Sequence, residues 1–229
     1  AILSETQSRA LNVHLAELAL SQLGAVPVHV VVPTPRNRHP VPVRSTGASE
    51  ALQRLPGALA ALKASSFVVD LTLEGLLHAP ETPEILKAGA RIQMISNEHP
   101  EALERMAPDP ALETRVKAAV RRLRGAKAMM VTSEAGTDLA VDMTDAPPVG
   151  VWGWTARPGT MAHWPGGIVV SFPKAHSVNG RLVLAPGDVN LTFKRYLERP
   201  VALTITDDHV TEIEGDGPDA ELFRRYIAA

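Results

Sequence analysis

The chain has 229 residues, 45% hydrophobic, 21% charged and 4% aromatic, with 23 basic and 25 acidic side chains for a formal net charge of −2. These proportions suit a globular protein long enough for one large α/β unit, or a domain and part of another, and they exclude disordered, collagen-like and coiled-coil chains. So balanced a charge creates no chain-wide field toward nucleic acid or anionic lipid, and neither is expected as a partner. The lack of cysteine removes disulfides, thiolate catalysis, iron–sulfur clusters and cysteine zinc sites. No apolar run approaches the roughly 18 residues of a membrane span, and no basic segment precedes an apolar stretch at the start, so a cytoplasmic protein is expected. The opening residues Ala1-Ile2-Leu3 read as the inside of a strand, without an initiator Met, which suggests a fragment of a longer protein.

That first strand gives way to the polar stretch 4–8, after which Leu11, Leu15 and Leu18 recur at helical spacing until Gly24. Residues 26–32 form a β-branched run ending at Pro33, as expected of a strand buried on both faces of a parallel sheet. A loop rich in Pro and Arg fills 34–49. Leu52, Leu55, Leu59 and Leu62 then mark a second helix in which Pro56-Gly57 is either the start or a kink. A strand follows at 66–73, a short helix through Ile85 and Leu86 closes at Gly89, and residues 91–95 make a fourth strand. The region from Asn97 to Arg124 is helical with a break near Pro108 and Pro110; Leu112, Val116, Val120 and Leu123 form its apolar stripe. Its basic end, Arg121, Arg122, Arg124 and Lys127, complements the helix dipole.

Alternation of strand and helix through residues 1–127 predicts an α/β domain with an open, mostly parallel Rossmann-like sheet. Residues 128–229 differ. Short strand-like runs at 129–131, 139–143, 149–154, 168–172, 182–185 and 201–205 are separated by Pro and Gly turns, Asp207-Asp208 joins a hairpin, and a helix occupies 218–226. This half is expected to be mainly β with a terminal helix.

No dinucleotide fingerprint, phosphate loop, zincin His-Glu pair or nucleophile elbow is present. Eight histidines stand at 14, 29, 39, 78, 99, 163, 176 and 209, and no two have the spacing that would put a pair of metal ligands on one strand or helix face. His14, His29, His39, His176 and His209 read as ordinary surface, core or turn residues, and His99 before Pro100 as a helix start. His78 falls in a strand-to-helix loop, at the carboxyl end of a parallel sheet where ligands bind. His163 in Met161-Ala162-His163-Trp164-Pro165-Gly166-Gly167 sets a tunable proton donor beside an indole wall. The acidic cluster Glu134, Asp138, Asp142 and Asp145 lacks a His at workable spacing and reads as solvated.

The runs Leu76-Leu77-His78-Ala79-Pro80-Glu81, His163-Trp164-Pro165-Gly166-Gly167 and Pro186-Gly187-Asp188, then Phe193-Lys194 and the helix at Pro218, resemble the 2,5-dihydroxypyridine 5,6-dioxygenases, relatives in fold of the thermophilic metal-dependent leucyl aminopeptidases. The resemblance runs in order along nearly the whole chain. It implies ring cleavage of a dihydroxypyridine by O₂ at a non-haem Fe(II) held by two His and a carboxylate. It places those ligands in a C-terminal domain, so no metal ligand is expected in this chain. It also implies that His163 and His78 are catalytic residues lining the substrate pocket, with Trp164 beside them binding substrate, in a homo-oligomer acting on a small molecule. Two positions depart from pattern: Val151 stands where the dioxygenases carry a Glu, and Ile168 where the aminopeptidases carry a metal-binding Glu. The second ranks a metal-dependent aminopeptidase-like hydrolase below the dioxygenase. A non-catalytic scaffold fragment is the remaining alternative.

Overall fold

The computed structural model describes residues 1–36, 47–95, 98–107 and 109–228. His39, Asn97 and Pro108 therefore lie outside the described residues. In chain order the elements are β1 (Ile2–Glu5), α1 (Ala10–Gln22), β2 (His29–Val32), α2 (Pro56–Lys63), β3 (Phe67–Asp70), α3 (Thr82–Lys87), β4 (Arg91–Met94), α4 (Pro100–Arg105) and α5 (Ala111–Arg124). They continue as β5 (Ala128–Thr132), β6 (Asp138–Asp142), β7 (Pro148–Val151), β8 (Met161–His163), β9 (Ile168–Ser171), β10 (Val178–Leu184), β11 (Val189–Asn190), β12 (Arg195–Tyr196), β13 (Val201–Thr206), β14 (His209–Glu214) and α6 (Pro218–Ile227). The fold is α/β, with an open parallel sheet followed by antiparallel ones.

Two compact units divide the chain, one of residues 1–116 and 150–168, the other of 117–149 and 169–229. In the first, five parallel strands lie in the order β2-β1-β3-β4-β8. One sheet face carries Leu3, Val68 and Ile92 against Leu62, Leu76 and Ile85 from α2, α3 and the loop before α3; the other carries Ile2, Val69 and Leu71 against Val13, Ala16 and Leu20 of α1. Pro56 occupies the first turn of α2, so it starts that helix rather than kinking it. His99 caps α4, its Nδ1 accepting from Glu101 N at 3.4 Å.

Three features differ from the sequence expectation. The strand expected at 26–32 to be buried on both faces is the edge strand β2, with His29 and Val31 exposed, because no strand covers its outer flank. Leu11, Leu15 and Leu18 do not face the core of this unit; all three are exposed, because α1 is apolar on almost every side and its 13/16/20 stripe is the one that packs. Residues 161–163, in the β-rich half, add a fifth parallel strand to the sheet, with Met94 in register with His163.

In the second unit five antiparallel strands follow the order β14-β13-β10-β6-β5, and the hairpin predicted across Asp207-Asp208 is β13–β14. Val201, Leu203 and Ala220 are buried here, with Phe223 of α6 packed against them. Arg224 of α6 donates to the carbonyls of Ile213 and Gly215, which ties the last helix to the end of β14. β11 pairs with β12 and β7 with β9 as two-stranded ribbons. Two of the acidic cluster are committed locally: Asp142 accepts from Thr144 N at 2.8 Å, and Asp145 pairs with Lys174 at 2.8 Å.

The contrast between the two leucine environments is measurable by denaturant unfolding. Leu62→Ala, at a site with no exposed surface, is expected to cost about 2–5 kcal/mol. Leu15→Ala on the outer stripe should stay within roughly 0.5 kcal/mol of the parent.

Candidate functional site

Parallel pairing brings the carboxyl ends of the strands in the first unit to one edge, where ligands of such sheets bind. Asp70 ends β3 opposite Met94 of β4, and Met94 lies opposite His163 of β8. These three residues form one row across adjacent strands, continuing the face that bears Val68 and Ile92 two residues earlier. Neighbouring strands lie about 4.8 Å apart, so the Asp70 and His163 backbones are separated by roughly two such spacings.

Asp70 has no exposed surface. Its Oδ1 accepts from the amide of Thr72 at 3.0 Å and from Thr72 Oγ1 at 2.7 Å, and its Oδ2 accepts from Leu76 N at 2.7 Å. Burial pushes its carboxyl up to about 6, against the pull of those three donors; the nearby carboxylate of Glu5 pushes the same way. Glu5, at the end of β1, is also raised by burial while its Oε1 accepts from Leu73 N at 3.2 Å and Ser49 Oγ at 3.3 Å. Two buried carboxylates thus gather the amides of the loop that follows β3.

This loop carries His78. Leu76 O accepts from Thr82 Oγ1 at 2.5 Å, and Gly47 runs alongside, its N–H donating to Glu74 O at 2.6 Å and its carbonyl accepting from His78 N at 2.5 Å. A Cβ on Gly47 would fall 2.8 Å from Leu77 Cβ, and its φ of +75° is itself unfavourable for any side chain. His78 is consequently fixed through its backbone while its side chain remains exposed.

His163 is half-buried at the end of the edge strand β8. The next residue, Trp164, donates its backbone N–H to Met94 O at 2.8 Å, and its buried indole Nε1 has no hydrogen-bond partner among the described residues. Gly166 then passes so close to Trp152 and Gly153 that a Cβ would overlap the Gly153 amide. Gln93 Nε2 holds Gly153 O at 3.1 Å from below, and Gly167 N donates to Val151 O at 2.8 Å. Val151, the departure noted in the sequence, therefore serves the loop through its carbonyl.

His163 ends β8 and Trp164 follows it, and His78 lies on the loop after β3, two strands away across β4. The two loops meet through Met94: a Cβ on Gly75 would overlap its Sδ, and its carbonyl holds Trp164. No hydrogen bond joins His78 to His163 among the described residues. Asp70, Glu5 and Gly47 were not singled out from the sequence; an acidic residue closing an apolar strand, as in Val68-Val69-Asp70, was the available signal for the first two.

The model of the 2,5-dihydroxypyridine 5,6-dioxygenase family matches residues 1–229. The chain belongs to this family. A 2,5-dihydroxypyridine 5,6-dioxygenase of Pseudomonas putida KT2440 is 40% identical over 176 residues, which cover 76% of this chain and 49% of that protein. The solved structure of a 2,5-dihydroxypyridine dioxygenase from the same organism superposes with a TM-score of 0.89 at 34% identity, covering 98% of this chain and 64% of that one. This member of the dioxygenase family thus spans about half to just under two thirds of the length of these relatives. Wild-type AmpT from Thermus thermophilus superposes with a TM-score of 0.57 at 16% identity, over 98% of this chain and 68% of that one, a likeness of fold. No helix among the described residues is long and apolar enough to cross a membrane.

The raised Asp70 carboxyl makes stability depend on pH. The folded chain takes up this proton near 6, whereas an unfolded Asp waits until about its ordinary 3.8, so the contribution is fully present below the lower value and lost as pH rises through the upper one. Urea unfolding should show the parent gaining on the order of 1 kcal/mol per pH unit relative to Asp70→Asn as pH falls through that window. Equal pH slopes in the two proteins would contradict the assignment.

Proposed function

We propose that this chain is the substrate-handling part of a ring-cleaving dioxygenase that acts on a hydroxylated pyridine of the 2,5-dihydroxypyridine kind. The observation that carries this reading is the match of the family model to the whole chain, and the placing of two imidazoles and an unpartnered indole N–H at one end of the parallel sheet supports it.

Among the described residues no three His, Asp or Glu side chains come together to hold an ion. On this reading Fe(II), which activates O₂ when bound, takes its two His and one carboxylate from polypeptide outside these 229 residues. This chain's part is binding and proton transfer. His163, half-buried at the strand end, accepts the proton of a ring hydroxyl, a task suited to an imidazole because its ordinary pKa lies near neutrality. His78, exposed on a backbone-locked loop, holds the second ring oxygen and so sets the orientation of the heterocycle. The indole of Trp164 forms the flat wall, and its Nε1–H is a donor with nothing else to serve.

Oxygen uptake on 2,5-dihydroxypyridine with Fe(II) tests the reading in the polypeptide that carries the iron ligands. His163→Ala should lower kcat by about 10²–10⁴-fold, whereas His78→Ala should act mainly on KM, as loss of orientation and binding does. No oxygen uptake with any dihydroxypyridine would overturn the proposal. The 229-residue chain gives a second readout: titration with 2,5-dihydroxypyridine should quench indole emission, and Trp164→Phe should remove most of that response.

A further inference from the structure

We propose that Met94 is a specificity-determining residue of this site: its thioether sets the gap between the loops that carry His78 and Trp164 and forms the apolar floor on which the heterocycle rests. The inference rests on the function proposed above and adds to it what selects the size of the ring.

β4 lies between β3 and β8, and its last residue, Met94, shares one sheet face and one level with Asp70 and His163. Ligands of such sheets bind at this end, yet Met94 is only 8% exposed. Its cover is Gly75. A Cβ there would overlap Met94 Sδ and fall 3.1 and 3.3 Å from its Cγ and Cε, so the whole end of the side chain lies against this glycine. Gly75 is held in place on both sides, its N–H donating to Thr72 Oγ1 at 3.1 Å and its carbonyl accepting from Ser49 N at 2.9 Å. His78 follows three residues later, its own N–H bound by Gly47 O.

On its other flank Met94 O accepts from Trp164 N at 2.8 Å. One residue thus touches both loops: its side chain sets the distance to the first, and its backbone anchors the second. Asp70, the next residue of the row, does not share that task, because its oxygens are taken up by Thr72 and Leu76 within the first loop. The spacing across the row is therefore a matter of the bulk of one apolar side chain.

The chemistry of that side chain suits the place. A thioether is unbranched and polarisable and is attracted to aromatic rings, with its sulfur about 5 Å from the ring and often at the ring edge. As a weak acceptor with no donor, it does not compete with the imidazoles for the ring oxygens. A smaller residue would widen the gap enough for a second fused ring, whereas a residue of similar volume would keep it.

Two ligands separate this role from plain packing: 2,5-dihydroxypyridine and a dihydroxyquinoline, which adds a fused ring, each titrated into the 229-residue protein and followed by indole emission. Met94→Ala should shift the ratio of their dissociation constants by more than about tenfold toward the quinoline, whereas a loss of packing alone would lower both affinities together. Met94→Leu should keep the parent's ratio to within roughly threefold. The parent gives a further readout by NMR with methyl-labelled methionine. The Met94 signal, identified by its loss in Met94→Leu, should move on saturation with 2,5-dihydroxypyridine, while those of the exposed Met129 and Met130 should not. Quenching by 2,5-dihydroxypyridine with an unmoved Met94 methyl, or an unchanged ratio in Met94→Ala, would overturn the proposal and leave the function proposed for the site standing. No quenching at all would overturn both.

Discussion

A carboxylate with no access to water organises the site end of the parallel sheet. Burying Asp70 is unfavourable by itself, and the side chain is retained because three donors, two from Thr72 and the amide of Leu76, converge on its oxygens. Those donors all belong to the loop after β3. The carboxylate therefore folds that loop back over its own strand, and Glu5 does the same from β1 through Leu73 and Ser49. The electrostatic cost of two neighbouring buried acids is offset by a loop whose backbone has little freedom left, which is the condition for His78 to be placed at all.

The same constraint propagates sideways through register. Asp70, Met94 and His163 occupy equivalent positions on three adjacent strands, so a one-residue slip of β8 would turn His163 to the α1 face and leave the loop after it without the Met94 carbonyl. A three-residue strand is too short to fix that register by its own ladder. The loop after the strand fixes it instead, with Gly166 tucked against Gly153, Gln93 bracing Gly153 from β4, and Gly167 bonded to Val151. The glycines and prolines of that run are the means by which a strand end is locked.

The alternation of strands and helices was legible because apolar runs of period two and stripes of period near 3.6 are local properties. Pro56, His99-Pro100 and Asp207-Asp208 marked true boundaries for the same reason. The inward face of α1 was not legible: Leu11, Leu15 and Leu18 form as regular a stripe as Val13, Ala16 and Leu20, and only the position of the sheet chooses between them. Membership of residues 161–163 in the first sheet was hidden by their brevity and by their distance along the chain from β4. His78 and His163 stood out as imidazoles in shaped loops, whereas Asp70 and Gly47 act through contacts made 2 to 31 residues away, most of them too far along the chain for a spacing rule to read.

The exposed side of this site has a physical consequence for how a member of the family must work. His163 ends an edge strand, His78 sits on an exposed loop, and the unsatisfied indole N–H lies just beyond the strand. A hydrogen bond to substrate gains strength only where water is excluded, and an edge strand has one flank with no protein of its own sheet beside it. If the chain handles substrate as proposed, groups other than these three must exclude water from the imidazoles for their hydrogen bonds to gain strength.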